Sequence, residues 1–235
     1  MGTWTKEKVT DELKTVLGER LVSVVLYGSQ AAGDQAGKNS DVNLLIVTKI
    51  LMLEELQSLS KVIVPWVKEG NHPPLFLTRL HLNEFVSVFP VEILDIQNSH
   101  QVLYGTDPLE GLSVSNDHLK IQLQHELQAK LLRLKTQFIL TESKPKAVEQ
   151  LMVDSLSSFL VLFKNTLWLY DVKPEPQKMQ ALRQLKSYAA FDIEPFETVD
   201  QLKRGVKVDK LDVLLTFRKY LSAIQSIVNN VDKLG

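Results

Sequence analysis

Apolar residues recur along the first half of the chain with two different periods. From Thr5 to Leu17 and from Leu51 to Lys68 they lie three or four residues apart, which predicts two helices. Compact runs rich in β-branched residues predict strands instead. Four such runs span Leu21 to Tyr27, Asp41 to Thr48, Leu75 to Leu82 and Val86 to Ile96. This mixture of strands and helices indicates an N-terminal α/β layer structure.

From Asn116 onward the apolar residues follow a helical period alone. One stripe consists of Leu119, Leu123, Leu127, Leu131 and Leu134. Further helices are predicted for Ser143 to Tyr170, Gln177 to Ala190, Thr198 to Arg204 and Lys210 to Lys233. Helices joined by short links predict an all-α bundle. The predicted fold class is therefore α+β, with domains at residues 1–112 and 113–235.

Composition and charge narrow the classes of function. The 235 residues include 27 Lys and Arg against 28 Asp and Glu, so the net charge of −1 makes a nucleic-acid partner unexpected. The chain has no cysteine, which excludes disulfides, thiolate zinc sites and thiol catalysis, and fits a cytoplasmic protein. Residues Met1 to Lys8 do not resemble a signal peptide, and no apolar run reaches the ~18 residues of a membrane helix. We therefore expect no membrane partner.

The most informative stretch is Gly28-Ser29 at the end of the first strand. After eleven intervening residues, Asp41-Val42-Asn43 opens the next strand. Residues two apart on a strand point to one face, so Asp41 and Asn43 are expected to project together towards the Gly28-Ser29 turn. Gly28 allows a ligand to approach the backbone, and the Ser29 hydroxyl with nearby amides could hold a phosphate. The alternative is that Gly28-Ser29 is only a turn and that Asp41 caps the loop.

This pattern resembles the nucleotidyltransferase superfamily typified by DNA polymerase beta and kanamycin nucleotidyltransferase. Its hallmark is Gly-Ser, roughly ten residues, and then Asp-x-Asp or Asp-x-Glu on a strand. The resemblance implies that these carboxylates, with a third from a later strand, bind Mg²⁺ and that a nucleoside triphosphate (NTP) is the substrate. The matching metal and catalytic positions are Asp41, Asn43 and Glu92, and Gly28 and Ser29 would hold the triphosphate. Asp95 is the alternative to Glu92, because strand alternation would place the two on opposite faces.

Asn43 departs from the family pattern, because an amide brings no negative charge to the cation site. The protein is then a weakened enzyme, a nucleotide-binding domain without turnover, or a variant of an active parent. As an enzyme, it would transfer a nucleoside monophosphate from an NTP to a hydroxyl of a small-molecule acceptor. The alternative is an inactive nucleotide-binding or partner-interaction protein, and a homodimer is compatible with either hypothesis.

Lys164 is a further nucleotide-binding candidate. It lies within the most apolar predicted helix of the chain, where a buried and unpaired charge would cost several kcal/mol. Either its side chain extends to the surface, or it faces a cleft between the two domains. In such a cleft it could contact a triphosphate or a carboxylate.

Overall fold

The computed structural model describes residues 4–28, 30–31, 42–208 and 211–234. The chain divides into two compact units, Met1–Val114 and Ser115–Gly235. The boundary predicted at residues 112 and 113 lies two residues before this division. Among the described residues, no helix combines the length and the apolar character that a membrane crossing requires.

The N-terminal unit is a sheet with helices on both faces. Its elements are α1 (Lys6–Leu17), β1 (Leu21–Tyr27), β2 (Asn43–Thr48), α2 (Leu53–Lys68), β3 (Leu75–Thr78), α3 (Arg79–Val88), α4 (Pro90–Asn98) and β4 (His100–Gly105). The strand order is β3-β2-β1-β4. β1 runs antiparallel to β2 and β4, whereas β2 and β3 are parallel, so the sheet is mixed.

The residues of β2 alternate between two hydrophobic cores, as the two-residue period of a strand requires. Leu44 and Ile46 pack with α1 and α2, in a core that includes the fully buried Trp66. Leu45 and Val47 point to the other face, where they pack with residues of α3 and α4 such as Ile93. Both faces of the sheet are therefore covered, which explains why β2 reads as a continuous apolar run.

The prediction of strands at Leu75 to Leu82 and Val86 to Ile96 is wrong over most of its length. Only Leu75–Thr78 is a strand, and α3 and α4 follow it directly. The residues buried in these two helices include Leu82, Val86, Ile93 and Ile96. Leu82 and Val86 are four residues apart in α3, and Ile93 and Ile96 are three apart in α4, which is the spacing of residues on one face of a helix. Pro90 begins α4, a position that suits proline because the first helical N–H needs no partner.

The C-terminal unit is all-helical. Its helices are α5 (Asn116–Leu140), α6 (Pro145–Thr166), α7 (Lys178–Leu185), α8 (Glu194–Lys203) and α9 (Val213–Lys233), with a 3₁₀ turn at Leu167–Tyr170. α6 packs against each of the other four helices. The predicted leucine stripe of α5 is buried along its whole length, from Leu119 to Leu134. The α+β class predicted from the sequence is confirmed.

Candidate functional site

Three strand ends meet at one end of the sheet. Tyr27, the last residue of β1, pairs with Asn43 of β2 on one side and with His100 of β4 on the other. Because both neighbours are antiparallel to β1, its carboxyl end lies beside the amino ends of β2 and β4. The chain thus places polar side chains of β2 and β4 next to the turn that begins at Gly28.

A side chain at Gly28 would crowd the Asn43 amide. Its φ of 82° lies in the left-handed region, and a Cβ at this position would lie 3.2 Å from Asn43 Nδ2. The Gly28 N–H donates to Ser99 O at 3.0 Å, and the Ser99 hydroxyl donates to Gly28 O at 3.1 Å. These two hydrogen bonds fix the turn to the segment between α4 and β4. The predicted proximity of Gly28 and Asn43 is therefore observed.

Ser29 and Asp41, the other two residues of the motif, lie outside the described residues. Their roles in phosphate and metal binding stay predictions. Asn43 lies two residues before Leu45, so its side chain is on the face of β2 that packs with α3 and α4. On the neighbouring strand β3, this face carries the apolar residues Leu75 and Leu77.

Glu92 lies in the first turn of α4, and its prediction as a strand residue is wrong. Glu92 and Asp95 are three residues apart on this helix, so they share a side instead of pointing to opposite faces of a strand. Both are half-buried. Asp95 is about 6 Å along the helix axis from Ser99, which anchors the Gly28 turn, and Glu92 is about 10 Å away. Which of the two would serve the site stays a prediction.

The four described strands carry no acidic residue. Their sequences are LVSVVLY, NLLIVT, LFLT and HQVLYG. Within the described part of the chain, no three His, Asp or Glu side chains lie close enough to hold a metal ion. Asp41 lies outside the described residues, so this absence does not extend to it. The described strands therefore offer no carboxylate to a cation at this end of the sheet.

A His–Asp pair beside the site was not predicted from the sequence. His100 Nε2 lies 3.0 Å from Asp107 Oδ2, and Leu109 N–H donates to the other carboxylate oxygen at 2.9 Å. Burial alone would raise the pKa of Asp107, but the hydrogen bonds from His100 and Leu109 outweigh it and lower that pKa. The pair fixes the start of β4 where it adjoins Tyr27. A polar residue at the first position of an edge strand was the only signal in the sequence.

Lys164 lies in the last turn of α6 and is half-buried, and it belongs to the C-terminal unit. The Gly28 turn belongs to the N-terminal unit, so the geometry of the C-terminal unit does not test the predicted contact of Lys164 with a triphosphate. The prediction therefore stands on the sequence alone.

Comparisons with known proteins support the fold and nothing narrower. No family model and no curated protein matches the chain. Among solved structures, the chain is similar to spectinomycin adenyltransferase AAD(9) from Enterococcus faecialis, whose crystal structure contains ATP and spectinomycin. The TM-score is 0.57 at 14% identity, and the alignment covers 96% of this chain and 97% of the other. The chain has a nucleotidyltransferase-like fold, with an α+β N-terminal part and a helical C-terminal part, as the sequence predicted.

Proposed function

We propose that this protein binds an NTP and transfers its nucleoside monophosphate to a hydroxyl of a small-molecule acceptor. The observation that carries the proposal is the contact between the Gly28 turn and Asn43, in a chain with a nucleotidyltransferase-like fold. The similar adenyltransferase was crystallised with ATP and spectinomycin, which supports an NTP and a small acceptor as substrate classes. The acceptor of this chain is a separate question, because 14% identity carries no substrate specificity.

The turn at Gly28 supplies the first part of the mechanism. Since Gly28 has no Cβ and is held by Ser99, a phosphate at this turn would meet the Asn43 amide and no side chain of residue 28. The Ser29 hydroxyl and neighbouring amides then bind phosphate oxygens. The Asn43 Nδ2 faces this turn, so its N–H groups are placed to donate to an anion. Positioning of the triphosphate is the main contribution of these residues to transfer.

The oxygen ligands available to a cation are the Asp41 carboxylate, the Asn43 amide oxygen and a carboxylate of α4. Hard oxygen ligands of this kind fit Mg²⁺, which proteins commonly hold with one or two carboxylates plus the phosphates of the substrate. When bound, Mg²⁺ would neutralise charge on the triphosphate. Because Asn43 is neutral, we propose that the chain holds Mg²⁺ together with the nucleotide and only weakly without it.

A second candidate function is nucleotide binding without turnover. Two observations favour it: Asn43 replaces a carboxylate, and none of the described strands contributes an acidic side chain. In that case the Gly28 turn still binds the triphosphate, but no group removes the proton of an acceptor hydroxyl. The two candidates share the binding site and differ only in the release of pyrophosphate.

Thermal unfolding with each NTP, with and without Mg²⁺, tests the shared step. A ligand that binds only the native state raises the melting temperature in proportion to RT ln(1 + [L]/Kd). We expect a shift with NTP and Mg²⁺ together that exceeds the shift with either alone. If no nucleotide raises the melting temperature, with or without Mg²⁺, both candidates are refuted. A shift without pyrophosphate release over a panel of hydroxyl acceptors favours the second.

Asn43→Asp separates the effect of this residue from that of the rest of the site. The variant restores a carboxylate. We therefore expect Mg²⁺ to increase the affinity for the nucleotide more than it does in the wild type, and pyrophosphate release to be faster. The matched control is Asn229→Asp on α9, which is exposed and keeps its acceptor for Gln225 Nε2. If Asn43→Asp leaves both readouts at the level of the control, Asn43 does not limit the site.

A further inference from the structure

The outer face of α2 carries a row of apolar side chains in addition to the buried row. The residues Leu53, Leu56, Val64 and Val67 are between 37% and 63% exposed, although they are large and apolar. Ser60, also exposed, lies at the centre of the row. We call these five residues the outer stripe. A contiguous exposed apolar surface commonly marks a place where another molecule binds.

The spacing of the residues in the outer stripe is symmetric about Ser60. From Leu53 to Val67 its members are three, four, four and three residues apart. The average step of about 3.5 residues is the repeat by which two helices pack along each other over several turns. An antiparallel copy of α2 that crosses at Ser60 therefore places Leu53 against Val67 of the second copy, and Leu56 against its Val64. The small Ser60 side chain at the crossing point lets the two helices approach closely.

The charges beside the outer stripe complement each other in this arrangement. Glu54, Lys61 and Lys68 are seven residues apart and line one flank of the stripe. In a two-fold antiparallel pair, each flank faces its own copy in reverse order. Glu54 then lies within one turn of Lys68 of the second copy, and this pair occurs twice. The ion pairs within the described part of the chain leave all three residues unpaired.

The same symmetry brings like charges together at one point. The two copies of Lys61 lie next to each other near the two-fold axis, where they repel. This repulsion is specific to an antiparallel pair centred on Ser60. A parallel pair or a different crossing point would not produce it.

We propose that the outer stripe of α2 joins two copies of this chain into an antiparallel, two-fold symmetric dimer. A helix of 16 residues is about 24 Å long, so the interface is at the small end of specific interfaces. We therefore expect a dimer in the micromolar range of dissociation constant, which forms and dissociates with concentration. The inference does not depend on nucleotide binding or transfer.

Sedimentation of the full-length chain over a range of concentrations tests the dimer. We expect Leu56→Glu to raise the dissociation constant at least tenfold, because it buries a charge opposite Val64 of the second copy. The matched control is Leu132→Glu, which replaces a similarly exposed leucine, 62% against 49%, on α5. A chain that stays monomeric at all concentrations, or a dimer that Leu56→Glu does not weaken, would overturn the proposal. Thermal unfolding of both variants confirms that they are folded.

Disulfide formation tests the register, since the chain contains no cysteine of its own. Ser60→Cys places two thiols at the two-fold axis, and we expect oxidised glutathione to convert it to a covalent dimer. Leu53→Cys places its two thiols about 20 Å apart along the helix axis, so it should stay monomeric on a non-reducing gel. If the Leu53→Cys variant forms a covalent dimer and the Ser60→Cys variant does not, the antiparallel register is refuted. Lys61→Ala removes the like-charge pair, so it should lower the dissociation constant of the dimer. A higher dissociation constant for Lys61→Ala would also refute the antiparallel register.

Discussion

At the scale of single residues, three of the five described glycines with positive φ in the N-terminal unit have nearly equal φ values but different surroundings. Gly111, Gly28 and Gly105 have φ of 78°, 82° and 79°. A Cβ would meet nothing within 4 Å at Gly111, Asn43 Nδ2 at Gly28, and the Val22 carbonyl oxygen at Gly105. The backbone cost of alanine is therefore shared by all three, and the steric cost differs.

We expect alanine to destabilise the protein in the order Gly111, Gly28, Gly105. The shared left-handed conformation costs about 1–2 kcal/mol, which Gly111→Ala measures alone. Gly28→Ala adds the displacement of the Asn43 amide, and Gly105→Ala adds a collision with rigid backbone. Urea unfolding gives the order. If Gly28→Ala costs no more than Gly111→Ala, the Asn43 side chain is free to move away from the turn.

The hydrogen bonds of Asp107 predict a pH dependence. Its pKa is lowered in the folded state, so its stabilising contribution is present well above the ordinary value of 3.8 and is lost as pH falls through the folded value. We expect Asp107→Asn to cost about 1 kcal/mol at pH 7, a modest figure because the side chain is one-third exposed. Unfolding at pH 7 and at a series of pH values below 3.8 should show this difference narrowing towards acid. A difference that is constant with pH would contradict the assignment.

The sequence predicted that Gly28 and Asn43 lie near each other, but it did not predict their contacts with residues far along the chain. Gly28 and Asn43 were found because a strand, a turn and a second strand give them a local pattern. Ser99 bonds to a residue 71 positions earlier, and nothing local marks it. The partner of His100 was equally hidden, since Asp107 is seven positions later and no motif links the two residues.

At the scale of elements, the strands and helices with strong periodicity were predicted and the dense β-branched segment was not. β1, β2, α1, α2 and α5 lie within a few residues of their predicted bounds. Val86 to Ile96 is rich in valine and isoleucine, which favoured a strand, yet the packing period of α3 and α4 is helical. Pro90 in the middle of that segment was the available contrary signal, because a central strand excludes proline.

The first turn of α2 depends on Glu55, which is buried. Its carboxylate accepts from the Met52 N–H at 3.0 Å and from Arg20 Nη1 at 2.6 Å. The bond from Met52 contributes most to lowering the pKa of Glu55, against the effect of burial, and Arg20 adds to it. An acidic residue at this position caps the helix and favours its dipole. Glu55 thus ties the start of α2 to the end of α1.

We expect Glu55→Gln to lower the urea midpoint at pH 7 and to speed amide hydrogen exchange in the first turn of α2. The neutral amide weakens both the cap and the bond to Arg20. Glu54→Gln, at the exposed neighbouring position, is the control, measured at concentrations where the chain is monomeric. Equal effects of the two substitutions would show that only net charge matters at this helix end.

At the scale of the whole molecule, each unit has its own hydrophobic core. Leu45 is fully buried between the strands and α3 and α4 of the N-terminal unit, and Leu127 is fully buried in α5 of the C-terminal unit. The two-residue period of the strands explains which residues are buried in the N-terminal core, and the helical period explains which are buried in the C-terminal core. We therefore propose that the two units, whose bounds the sequence predicted as residues 1–112 and 113–235, are separate domains that unfold separately.

Substitution of each core leucine tests this separation. Leu45→Ala and Leu127→Ala should each cost about 2–5 kcal/mol, because each leaves a cavity among buried side chains. Local and subglobal opening is reported by amide hydrogen exchange, so we expect each variant to speed exchange within its own unit and to leave the other near wild type. If either substitution accelerates exchange equally across both units, the chain unfolds as one cooperative body.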